Sequence, residues 1–123
     1  MTYTDAEIIE AARAAVAEKG ADYIYPRSKA AGGDGNCFYS NPDGSPSCIV
    51  GNIIKRLDPE AFARVVQYEE ERGKSESAWH IAELLDIPLV DAQAIALTKA
   101  QTRQDDGDPW GKALAVIEKR LGA

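Results

Sequence analysis

Two cysteines and one histidine are the reactive side chains of this sequence, and their neighbours decide what chemistry they could do. A thiol attacks as its thiolate, so it needs a base, a cation or a helix N-terminus beside it. Cys37 follows the glycine-rich run Gly32-Gly33-Asp34-Gly35-Asn36 and leads into Phe38 and Tyr39. Cys48 follows Ser45-Pro46-Ser47, an opening that suits a helix start, where unpaired backbone N–H groups favour a thiolate. That makes Cys48 the thiol worth testing. The imidazole available as a base is His80, which the local helical pattern turns to solvent. As metal ligands these three residues fail, because no Cys-x-x-Cys or His-x-x-x-His pair is present. The run Asp105-Asp106-Gly107-Asp108 invites a calcium reading. With Gly107 at the sixth loop position, the first and twelfth would be Thr102 and Ala113, so the donors are wrong. No metal or cofactor is expected.

Charge narrows the function further. The net charge is −6, and residues 58–91 account for it with nine acids against three bases. An acidic chain gains little from phosphate attraction, which counts against general nucleic-acid binding. Glu69-Glu70-Glu71 is the densest part of the acidic stretch. It is expected to be a solvated helix face and a candidate contact for a partner protein. No apolar run is long enough to cross a membrane, and the opening residues lack the basic and apolar blocks of a signal peptide. A cytoplasmic protein with reduced thiols is therefore expected. The turn after Cys37 brings the two cysteine backbones close, so a disulfide between them stays open as the alternative.

The elements that must position these residues are well punctuated. Thr4 and Glu7 form a capping box, Ile8, Ala12, Ala15 and Val16 mark a buried stripe, and Gly20 is a natural stop. Tyr23-Ile24-Tyr25 and Cys37-Phe38-Tyr39 read as two short strands pairing as a small antiparallel hairpin near residues 23–40. Asn41-Pro42-Asp43-Gly44 is a type I turn. Residues after it read either as a return strand or, by the spacing of Ile49, Ile53 and Leu57, as a helix with Ser45 as its cap. The helix is preferred because the spacing persists beyond a strand's length. Asp58-Pro59 and Asp108-Pro109 open two further helices, Ser75 caps another, and Pro88 begins an alanine-rich one reaching Asp105. The expectation is a mainly α (α+β) single domain over residues 1–123, with about six helices.

Three functional readings follow. Asp34-Gly35-Asn36-Cys37-Phe38-Tyr39 resembles the nucleophile motif of the ovarian-tumour class of deubiquitinating cysteine proteases. That resemblance implies Cys37 as nucleophile, Asp34 beside the oxyanion site and His80 as base. The turn at Asn41–Gly44 works against it, since Cys37 cannot then open a helix. Residues 81–88 followed by a second helix have the rhythm of a DNA-binding helix-turn-helix, offering Gln93, Lys99, Gln101 and Arg103 as contacts. There Asp86 replaces the customary turn glycine. Over residues 22–120 the chain is similar to a group of small proteins from actinobacteria and their phages. The similarity rests on Pro46-Ser47-Cys48-Ile49-Val50-Gly51 and on Gln101, Gln104, Asp105, Gly107, Pro109, Trp110 and Gly111. It implies such a source and supplies no activity. In it, Gln101, Gln104 and Asp105 form a polar cluster expected to lock the last two helices together. The preferred reading is a non-enzymatic accessory protein that binds a protein partner, with nucleic acid disfavoured.

Overall fold

The four leading N–H groups of every helix lack intrahelical partners, and much of this fold consists of oxygens supplied to them. The computed structural model describes residues 2–33 and 37–122. Its helices are α1 (Asp5–Lys19), α2 (Ile49–Leu57), α3 (Pro59–Arg72), α4 (Ala78–Leu84), α5 (Asp91–Asp105) and α6 (Trp110–Leu121). They pack around one core in which Ile8, Tyr39, Ile53, Leu97, Trp110 and Ile117 are fully enclosed. α1 lies against α2 and α6, and α5 runs back along α6 and also touches α4 and α2. Among the described residues no helix is long and apolar enough to cross a membrane.

α1 begins as its sequence suggests. Thr4 Oγ1 accepts from Glu7 N at 3.0 Å, Glu7 Oε1 accepts from Thr4 N at 2.8 Å, and Gly20 ends the helix with φ +99°. α3 opens on Asp58, whose Oδ1 accepts from Ala61 N at 3.1 Å while Oδ2 accepts from Tyr3 Oη at 2.8 Å. The Tyr3 hydrogen bond, followed by that of Ala61, holds the Asp58 carboxyl below its ordinary range.

Four expectations need correction. No hairpin joins residues 23–25 to 37–39 among the described residues. The carbonyls of Ala21 and Tyr23 instead accept from Gly111 N (2.8 Å) and Trp110 N (2.9 Å). The extended segment thus supplies the start of α6, which has no side-chain cap of its own. The antiparallel pairing lies one turn later. There Ser40 bridges Pro46, Tyr39 O accepts from Ser47 N at 2.8 Å, and Phe38 O accepts from Cys48 N at 3.0 Å. This pairing holds residues 45–48 extended, so α2 starts at Ile49 with Cys48 as its cap rather than at Pro46 with Ser45. Both readings of this stretch therefore capture part of it. α4 is capped by Ser77, not Ser75. α5 starts at Asp91 rather than Pro88, because Gln93 Oε1 accepts from Val90 N and fixes the entry there.

Gly51 sits where α2 passes directly over the Tyr39 carbonyl, and a Cβ on it would collide with that oxygen. Alanine would gain about 1 kcal/mol of helix propensity. It would also push α2 off the segment that carries Cys37 and Tyr39. Gly51→Ala is expected to lower stability by at least about 2 kcal/mol in chemical denaturation. An unchanged or higher denaturation midpoint would contradict this packing.

Candidate functional site

The polar residues singled out from the sequence converge, but on the protein's interior. Gln104 is fully buried, and its Oε1 accepts from Ile49 N at 2.8 Å and from Trp110 Nε1 at 3.2 Å. Its Nε2 donates to Asp105 Oδ1 at 3.0 Å, while the main-chain oxygen of Asp105 receives Lys29 N at 3.2 Å. Gln101, one turn earlier, accepts from Ala78 N at 2.7 Å. It donates to Tyr39 Oη (2.7 Å) and Cys37 Sγ (3.4 Å). The cluster therefore does more than tie α5 to α6. Each glutamine caps the start of a different helix, α2 or α4, and one of them also anchors the Trp110 indole.

Glu69 behaves as a core residue and not as part of an exposed patch. It is 5% exposed, with Oε2 accepting from Tyr39 N at 2.9 Å and Oε1 accepting from Ser40 N (3.0 Å) and Ser40 Oγ (2.8 Å). Glu70 and Glu71, its neighbours on α3, stay exposed. A partner surface built on Glu69, Glu70 and Glu71 thus loses its first member, because helical rotation turns Glu69 inward.

Both thiols are buried, and no disulfide joins them. Cys48 Sγ accepts from Gly51 N at 3.4 Å, making it a helix cap. A hydrogen bond with Cys48, reinforced by burial, pushes the Cys37 thiol well above its ordinary pKa. Cys37 borders a cleft of about 380 Å³ with Phe38, Ser75, Ser77, Thr98 and Gln101. His80 is not part of that lining. It is exposed on α4, with Nδ1 3.4 Å from Ser77 Oγ. Asp34 lies outside the described residues. A nucleophile needs the thiolate and a base within reach, and Cys37 with His80 supplies neither.

Between α4 and α5 the backbone makes the kind of turn the helix-turn-helix reading requires at one residue. Asp86 adopts φ +52°, the left-handed conformation a turn glycine would supply. The electrostatics of the pair oppose DNA, however. The start of α5, which would face the bases, carries Asp91, with Glu83 and Asp86 beside it in the chain. Gln93 is buried and bound to Tyr3 O and Asp5 Oδ1. Gln101 is buried as described, so of the four suggested contacts only Lys99 and Arg103 are exposed. Tyr39 was not legible as a site residue. Its hydroxyl donates to Glu76 O at 2.8 Å while accepting from Gln101, and burial raises its pKa well above the usual value.

No family model, no curated protein and no solved structure matches this chain. Among the described residues no group of three His, Cys, Asp or Glu side chains could hold a metal ion.

Two outcomes are expected of this centre. Glu69→Gln replaces one acceptor oxygen by a donor facing a backbone N–H, so it should cost about 2 kcal/mol or more in urea unfolding, close to Glu69→Ala. A neutral Glu69→Gln would refute the placement. The raised folded-state pKa of Cys37 means its contribution to stability is complete below the unfolded thiol value and is lost as pH rises through the folded one. Wild-type stability should therefore decline above about pH 8.5, and less steeply in Cys37→Ala. Identical pH slopes for the two proteins would contradict the assignment.

Proposed function

We propose that this chain is a non-enzymatic interaction protein whose α4–α5 surface receives a basic amphipathic segment of a protein partner. The observation that carries this reading is a mixed apolar and acidic surface, on whose border Lys74 pairs with Glu76 and leaves Glu83, Asp86 and Asp91 without an ion pair among the described residues. Residues 75–98 contain Glu76, Glu83, Asp86 and Asp91 and no Lys or Arg. Three large apolar side chains exposed to solvent fall in the same stretch: Leu84 (56% exposed), Val90 (44%) and Ile95 (38%). Their chain neighbours Glu83, Leu89, Asp91 and Ala94, with Trp79, line a shallow cleft of about 150 Å³. Exposed apolar groups rimmed by charge of one sign suit a partner with apolar anchors and the opposite charge.

A cytoplasmic accessory role in actinobacteria or their phages belongs to the same proposal, and its support is the likeness around Cys48 and Trp110. The hydrolase alternative lacks an ionisable thiol with a base. The DNA-reading alternative would press Asp91 against phosphate.

Trp79 reports on this surface, because it is only partly buried while Trp110 is fully enclosed. A synthetic amphipathic peptide of leucine and lysine should bind saturably, shift Trp79 emission and weaken with added salt. Leu84→Asp and the pair Glu83→Lys/Asp91→Lys should each reduce its affinity roughly tenfold or more. Absence of binding, or binding indifferent to both changes, would overturn the reading.

A further inference from the structure

We propose that the groove between α5 and α6 binds a small anion carrying a chain of phosphate groups. Lys99, Thr102 and Arg103 come from α5, Asp106 from its C-terminal cap, and Val116, Lys119 and Arg120 from α6; together they line a cleft of about 530 Å³. That volume lies within the range of about 300–1,000 Å³ usual for small-molecule sites. The spacing is i, i+3, i+4 on each helix, so each helix turns a single stripe into the groove. Four cations face one acid there, in a protein whose net charge is −6.

What separates this cleft from an ordinary solvated surface is four cations gathered in one groove; Lys29, Arg64 and Lys112 also lack an ion pair among the described residues, but none of them lines it. Elsewhere Arg13 pairs with Glu118, Arg56 with Glu18 and Lys74 with Glu76. Lys19, Arg27, Lys55 and Arg72 lie over the rings of Tyr23, Phe38, Phe62 and Tyr68. In the cleft only Arg103 has an ion pair among the described residues, a long one of 3.4 Å to Asp108. Among the described residues Lys99, Lys119 and Arg120 have no ion pair, and with Asp106 the one acid in the lining the cations outnumber it four to one, a like-charge repulsion that a bound anion relieves. Lys119 and Arg120 also meet the negative end of α6. That accounts for two of the four and leaves mid-helix Lys99 without an ion pair among the described residues. Adjacent phosphates match this layout, since Arg forks bind phosphate oxygens bidentately and Lys adds point charges around them.

The test is calorimetric titration of the full chain with inorganic triphosphate and, separately, with a nucleoside triphosphate, each without divalent metal. Saturable one-site binding that weakens with salt is expected. Lys99→Glu and Lys119→Glu should each weaken it roughly tenfold or more, whereas Arg64→Glu, exposed on α3, should leave it unchanged. Circular dichroism checks folding, and Lys99→Gln and Lys119→Gln serve if a reversal unfolds the chain; these too should lose affinity. Equal affinities for both ligands assign recognition to the phosphate chain, and tighter nucleotide binding adds a contact to the base or sugar. The proposal falls if triphosphate gives no saturable heat, if sulfate at equal ionic strength binds as well, if duplex DNA binds more tightly, or if the Arg64 variant loses as much as the cleft variants.

Discussion

A single buried amide, that of Gln104, holds three helices in register. Its oxygen receives the first N–H of α2 and the indole N–H of Trp110 at the start of α6, while the residue itself belongs to α5. Both N–H groups are enclosed, so each would carry a desolvation cost of about 1–3 kcal/mol without an acceptor. Gln101 repeats the device one turn away, receiving the first N–H of α4 and tying it to Tyr39. The local caps Cys48 and Ser77 each serve the third N–H of their helix, and the first N–H groups are met across the core. The amides that cap them are neutral, and so avoid the larger penalty of burying a lone charge.

The same economy of partners gives both thiols a structural role. The segment from Cys37 to Cys48 is held by Glu69 from below and by its own antiparallel pairing, with α2 passing over Tyr39 at Gly51. Within that frame Cys48 serves as a helix cap and Cys37 as a hydrogen-bonded neighbour of Cys48 and Gln101. Chemistry that looks available in a linear motif is absorbed into the satisfaction of buried polar groups.

Charge is sorted along α5 in a way that overall composition conceals. Its first turns carry Asp91 beside the exposed Val90 and Ile95, and its later turns carry Lys99 and Arg103. Packing against α4 extends the acidic and apolar end, and packing against α6 extends the cationic end with Lys119 and Arg120. A protein of net charge −6 therefore presents two surfaces of opposite character. The proposed peptide and phosphate sites sit on these opposite parts of one helix.

Local rules were enough for the helix count, the capping of α1 and α3, the Asn41–Gly44 turn and the buried stripe of α1, because each depends on neighbours within a few residues. They misplaced the starts of α2, α4 and α5 and invented a hairpin at 23–40, because acceptors for those N–H groups or strands come from distant residues. Glu69 shows the limit most clearly. Three consecutive glutamates read as one exposed cluster, yet the first is drawn inward by two backbone N–H groups some thirty positions away. The cationic cleft was half visible as Lys99 and Arg103 at i and i+4, and its other half required the return of α6. The sequence by itself determined which segments are helical and how much charge each carries. Only the tertiary structure decided which polar groups face one another. Hydrogen bonds act over about 3 Å in space, regardless of separation along the chain.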